Sequence, residues 1–303
     1  MIRPKFNSKI TQDMLRVRQS LPLQAKINLT ERRIIDWCEK HDNNVYVAFS
    51  GGKDSTVLLH IVRSLYPDIP AVFCDTGLEY PAIKEFVRSI DNVVWLKPKY
   101  TFKEVIEKYG YPVISKEQAT YIEDYRNAKS EKTKEKRWNG TPVKKRFKIS
   151  EKWKFMVDAP FKISGRCCKY LKKNPSHEYE KQTGRKAILG IMASDSNNRG
   201  ITYQQHGCNM ADHRPPQSWP LAFWTDEDIW EYIRTKNIPY CKIYDTGIKR
   251  TGCVFFMFGL HLQKPNRFEL LKQTHPKLWE YCIDKLGLGA VLDYMKIKYG
   301  KGY

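Results

Sequence analysis

The run Ser50-Gly51-Gly52-Lys53-Asp54-Ser55 constrains this chain more than any other feature. It follows Val45-Tyr46-Val47-Ala48-Phe49, a short apolar run that reads as a buried strand. It precedes Ser55 to Leu65, where Val57, Leu58, Ile61, Val62 and Leu65 recur at helical spacing. A strand, a glycine turn and a helix in that order suit a phosphate group. Glycines at 51 and 52 can take positive φ and let backbone N–H groups approach an anion. The helix start offers free N–H groups and the positive end of its dipole. Ser50 and Ser55 add hydroxyl donors, and Lys53 adds a charge. Asp54 cannot bind phosphate itself; it suits Mg2+ or the loop's own N–H groups. A Walker A loop is excluded, because Val47 stands where that motif needs Gly and Asp54 where it needs Ser or Thr.

The alternation continues beyond the loop. Ala71–Cys74, Val93–Leu96 and Ala187–Ile191 read as strands. Leu29–Lys40 (N-capped by Thr30), Pro81–Ser89, Phe102–Tyr109 and Thr225–Lys236 read as helices. Strands separated by helices predict an α/β fold: a mainly parallel sheet with helices on both faces, and helical N-terminal and C-terminal additions. Ligands of such sheets sit at the carboxyl ends of the strands, where the glycine loop and Asp75-Thr76-Gly77 both fall. The expected organisation is a helical segment over 1–40, a nucleotide-binding domain over 41–240 with a basic insertion at about 116–160, and a cysteine-containing helical segment over 241–303.

No apolar run approaches the roughly 18–20 residues that cross a bilayer. The N-terminus lacks the apolar centre of a signal peptide. A soluble cytoplasmic protein without a membrane partner is expected. The formal net charge is +20, which favours polyanionic partners. Residues 126–154 hold twelve Lys or Arg against three Glu, including Lys144-Lys145-Arg146, with Trp138, Phe147 and Trp153 among them. That segment reads either as a solvated insertion or as a nucleic-acid-binding flap.

The motifs together resemble a known family. Ser50–Ser55 resembles the PP-loop of the ATP pyrophosphatases. Asp75-Thr76-Gly77 with Pro81, Gly190-Ile191-Met192-Ala193-Ser194 to Arg199, and Pro220-Leu221-Ala222-Phe223-Trp224-Thr225 to Trp230 resemble elements of the phosphoadenosine phosphosulfate (PAPS) reductase family. The resemblance implies an adenine nucleotide alpha hydrolase-like fold, ATP or PAPS as the ligand, Mg2+ where ATP is used, and sulfur or adenylyl transfer. It implies Lys53, Asp54 and Asp75 as the catalytic set, with Arg199 and Lys53 neutralising phosphate charge and Gly77 near the adenosine. The chain departs from the family at its end. No Glu-Cys-Gly-Leu-His motif is present, which argues against thioredoxin-dependent reduction.

Cys167-Cys168 and Cys253 are similar to the iron–sulfur members of that family, whose pattern ends in Cys-x-x-Cys. Here Phe256 holds the fourth position, and four thiolates are the usual requirement. Three arrangements are open: Cys208 completes the set, a three-cysteine cluster leaves one iron free, or the cysteines only pack. Four thiolates could also hold Zn2+. Cys38, Cys74 and Cys282 are expected in the core. Three functions follow: a nucleotide-dependent sulfur or adenylyl transferase, an iron–sulfur sulfonucleotide reductase, or a nucleic-acid-binding regulator with a vestigial or sensory nucleotide pocket.

Overall fold

The computed structural model describes residues 10–141 and 147–301. Lys144, Lys145 and Arg146 of the basic segment therefore lie outside the described residues. The chain forms two compact units that alternate along the sequence. The first runs to Asp75 and continues through Glu79–Lys97 and Pro175–Thr251. The second takes Thr76–Leu78, Pro98–Asn174 and the chain from Gly252 onward.

The first unit holds a six-stranded sheet: β1 (Val45–Ala48), β2 (Ala71–Cys74), β3 (Val93–Leu96), β4 (Lys186–Leu189), β5 (Asn209–Met210) and β6 (Gln217–Ser218). Their order is β3-β2-β1-β4-β6-β5. All neighbours are parallel except β5 and β6, so the expected mainly parallel sheet is present. Strand residues alternate between faces. Tyr46, Val72 and Ala187 share a buried cluster with Tyr179 of the helix Asn174–Thr183, and the Tyr46 hydroxyl donates to Glu180 at 2.8 Å. Helix Lys53–Leu65 buries Val57, Leu58, Ile61 and Val62 completely, and packs with Leu23–Lys40 and Asp226–Lys236. Each such aliphatic side chain contributes roughly 1.5–3 kcal/mol on burial.

Several boundaries differ from the sequence reading: the helix expected from Ser55 begins at Lys53, and the one expected to reach Ser89 ends at Arg88. The helix expected from Leu29 begins at Leu23, directly after Pro22. Thr30 is thus no cap: it lies fully buried in mid-helix, accepts the Trp224 indole N–H at 2.8 Å and donates to the Pro220 carbonyl at 3.3 Å. Tertiary packing there overrides a local capping signal. The fourth strand ends at Leu189, so Gly190 and Ile191 belong to the turn beyond it. Thr225 does cap its helix, in a reciprocal capping box with Asp228.

In the second unit, helices Phe102–Tyr109, Lys116–Arg126 and Glu131–Trp138 lead into a 3-10 helix at Glu151–Asp158. Several cations of the basic segment have structural partners. Arg126 donates to four carbonyls, those of Met156, Val157, Ala159 and Phe161. Arg137 pairs with Asp124 at 2.6 Å, and Lys148 and Lys154 both reach Glu151. Trp153 is buried rather than displayed. No described helix is long and apolar enough to cross a membrane.

Candidate active site

The chain runs β1 to β2 to β3 on one side of the sheet, then returns to place β4 on the other side of β1. That reversal opens a crevice at the carboxyl ends of β1 and β4. The Ser50–Ser55 loop leaves β1 there, and Gly190 leaves β4. A Cβ on Gly190 would stand 3.1 Å from the Asp54 carbonyl oxygen, so glycine is what lets β4 approach the loop. Gly51 has φ +71, and a Cβ on it would meet Val87 at 2.8 Å.

Serine hydroxyls hold the loop in shape. Ser55 Oγ accepts the Ser50 N–H at 3.2 Å and donates to the Gly52 carbonyl at 2.9 Å. Ser50 Oγ accepts the Gly52 N–H at 3.3 Å. Gly52 gives helix Lys53–Leu65 no side-chain cap. The first helical amide, Lys53 N–H, instead donates to the Tyr244 hydroxyl at 2.9 Å, and that hydroxyl lies 3.1 Å from Thr251 Oγ1. Tyr244 and Thr251 also leave no room for a side chain at 52: a Cβ there would come within 2.8 Å of Thr251 Oγ1.

Lys53 is 5% exposed, and its ammonium bonds Asp54 at 2.8 Å and also Asp226. Burial favours the neutral amine, but Asp54 and Asp226 outweigh it and raise the Lys53 pKa. Burial pushes the Asp54 carboxyl up, Lys53 opposes this, and Asp195 and Asp226 add to it. Asp195 pairs with Arg199 and lies 3.9 Å from Arg250. Asp75, just past β2, pairs with Lys84 at 2.7 Å. The loop thus carries a buried cation within a group of carboxylates. Asp195, Asp226, Tyr244 and Thr251 escaped the sequence reading, because none is near the loop in sequence. Thr225-Asp226-Glu227-Asp228 was legible only as the acidic start of a helix. Thr76 and Gly77 belong to the second unit, where Thr76 Oγ1 accepts the Leu78 N–H at 3.3 Å.

Cys167, Cys168 and Cys253 line one small cavity of the second unit, about 30 Å³, walled by Phe102, Phe255 and Phe256. The sulfurs of Cys167 and Cys168 are 3.9 Å apart. Hydrogen bonding from Cys167 draws the Cys168 thiol down to about 6 against burial, with help from Lys172, Lys116 and Lys173. The shared proton pushes Cys167 up. Cys208 does not line this cavity. It is buried in the first unit beside Tyr203, Arg33 and Arg18, and burial pushes its thiol up to about 11. Its backbone carbonyl accepts the Trp219 N–H at 2.9 Å, next to β5 and β6, so sheet packing explains its place. With Phe256 in the wall and Cys208 in a core, the cavity does not fit a four-cysteine cluster. Among the described residues no three His, Cys, Asp or Glu side chains are grouped to hold a metal ion. Cys38 and Cys282 are buried, as expected; Cys241 is buried too, and Cys74 is half-buried.

A mainly parallel sheet with the Ser50–Ser55 loop at its topological reversal defines the class: an α/β protein with its candidate site at the carboxyl ends of the strands. Residues 44–256 match the phosphoadenosine phosphosulfate reductase domain, and the chain belongs to that family. It is similar to two uncharacterized proteins of Methanocaldococcus jannaschii, at 26% identity over 84% of this chain and 30% over 80%. It spans only 50% and 41% of their lengths. An adenosine 5'-phosphosulfate reductase of Lysinibacillus sphaericus is 24% identical over 73% of this chain and 76% of its own. The crystal structure of PAPS reductase from Candida auris aligns with a TM-score of 0.41 at 16% identity, covering 80% of this chain and 96% of that one.

Proposed function

We propose that the chain binds ATP as its magnesium complex on the Ser50–Ser55 loop and acts in adenylyl transfer, activating a substrate for sulfur chemistry. One observation carries this reading: Asp195 and Asp226 both act electrostatically on Asp54 in the Ser50–Ser55 loop, and Lys53 is shared between Asp54 and Asp226. Those carboxylates, offset in part by Lys53 and Arg199, favour an anion that brings its own cation over a bare phosphosulfate. A magnesium-bound triphosphate is such an anion, since Mg2+ is held by one or two carboxylates together with phosphate oxygens. Asp54 is the carboxylate we assign to the metal, and Asp75 assists the nucleotide. In this reading the loop N–H groups and Ser50 and Ser55 hold the phosphates, while Lys53 and Arg199 offset their charge. A substrate oxygen bonds to the α-phosphorus, and the bond from that phosphorus to the bridging oxygen breaks, releasing pyrophosphate. No step is assigned to an iron–sulfur group, because the cysteine cavity does not fit one with four thiolates.

Binding is the direct test. Calorimetry should give MgATP a lower Kd than adenosine phosphosulfate or PAPS, and chelation of Mg2+ should weaken the ATP complex. The reverse order of affinity, or release of sulfite from either sulfonucleotide with a thiol reductant, would replace this reading with a reductase.

A further inference from the structure

The second unit contains a larger cavity that the nucleotide reading leaves unused. It measures about 1060 Å³ and lies between the 3-10 helix Glu151–Asp158, the stretch 260–269 and residues 293–298. Its aromatic residues are Trp153, Phe155 and Tyr294. Phe155 is 41% exposed, and its ring centroid is 5.7 Å from that of Tyr294. The Tyr294 hydroxyl donates to the Phe155 carbonyl at 3.2 Å, which fixes the pair. Lys152, Lys264, Lys296 and Lys298 line the same cavity as exposed residues.

The charge is left over rather than balanced. Two acids line the cavity, and both are engaged. The Glu269 carboxylate accepts the Asn266 N–H at 2.8 Å in a capping box, and Asp293 lies 3.9 Å from Lys301. Among the described residues, the four lysines make no ion pair. An exposed aromatic ring beside uncompensated cations suits one ligand chemistry above others: flat bases linked by phosphates. We propose that this groove binds single-stranded nucleic acid, with a base stacked on Phe155 and phosphates met by Lys264 and Lys298.

The test uses the full chain and short fluorescent oligouridylate and oligodeoxyuridylate, which differ only in the sugar, followed by anisotropy across a salt series. Lys264→Glu with Lys298→Glu should raise Kd by about tenfold or more. It should also lower the salt slope by ~1.4, at ~0.7 for each phosphate that no longer meets a lysine. Phe155→Ala should raise Kd about fivefold or more through weaker stacking. Lys132→Glu with Lys136→Glu makes the same charge change on helix Glu131–Trp138, outside the groove, and should do less. Preference for one oligomer would identify RNA or DNA as the ligand; equal binding would mean the sugar is not read, and all three fit the proposal. An equal fall in affinity for the two charge-reversed variants would reduce the binding to general basic charge and overturn it. So would the absence of oligonucleotide binding at low salt, or binding only to phosphatidylglycerol vesicles. Unchanged melting temperatures would confirm that each variant is folded.

Discussion

The backbone N–H of Lys53 donates its hydrogen bond to the side-chain hydroxyl of Tyr244, 2.9 Å away. That donor opens helix Lys53–Leu65 and is one of the groups expected to meet a phosphate oxygen. On the proposed function, Tyr244 stands where a phosphate oxygen would stand, and a bound nucleotide would displace or share its hydroxyl.

Replacing Tyr244 with Phe should separate the two roles. The free protein loses two hydrogen bonds, to Lys53 N–H and to Thr251 Oγ1, each worth about 0.5–1.5 kcal/mol, and should melt at a lower temperature. MgATP no longer competes with the hydroxyl, so its Kd should fall by up to about tenfold. Melting with and without MgATP reads both effects. Weaker nucleotide binding would mean that the hydroxyl is itself a phosphate donor.

Lys53→Ala should act in the opposite sense on affinity. It removes a charge-assisted interaction of roughly 1.5–3 kcal/mol, equivalent to about ten- to 150-fold in Kd. It also leaves Asp54 and Asp226 without their shared cation. Calorimetric affinity for MgATP that does not change would remove the loop from the binding site.

Lys26 and Asp228 form a buried ion pair at 2.6 Å, with side chains 3% and 10% exposed. Removing one partner strands a charge in the interior, at a cost of about 3–5 kcal/mol. Asp228→Ala also breaks the capping box with Thr225, so it should be the more damaging single change. Lys26→Met combined with Asp228→Asn should recover part of the stability, because no charge then remains buried. Urea denaturation of Lys26→Met, Asp228→Ala and the double variant measures the order.

Acid should weaken the fold before the carboxylates titrate. His41 lies below its ordinary value of 6.5, through burial first and then Lys186 and Lys40. His60, His261 and His275 are lowered too, each chiefly by burial. A depressed histidine binds its proton more readily in the unfolded chain. Its penalty is therefore absent at high pH and grows as pH falls through 6.5 toward the folded value. Denaturation midpoints should drop from about pH 7 to about pH 5, and His41→Gln should flatten that slope. A midpoint that rises on acidification would contradict the burial of these rings.

The sequence carried the loop and the central strands because their signals are local. Val45–Ala48 and Ala71–Cys74 are apolar runs bounded by turns, and Gly51 lies where the turn needs positive φ. Asp226 and Tyr244 reach the loop only through the tertiary fold, and nothing in their own surroundings marks them as its neighbours. Thr30 misled for a related reason: its side chain resembles a cap in sequence but is used by Trp224 and Pro220 in the core. The cysteines were legible as a pair and a third residue. Cys208 was not, since a buried thiol and a ligand thiol look alike in a sequence.

The pairing of β1 with β4 also sets an order of events. Val45 lies opposite Lys186, about 140 residues later in the chain. The wall that Gly190 supplies behind Asp54 is therefore synthesised long after the loop it backs. Closing so long a loop is slow and comes late in folding. The Ser50–Ser55 loop can take its local turn early, but its neighbour comes later, so on the proposed function nucleotide captured by a growing chain would report the arrival of β4.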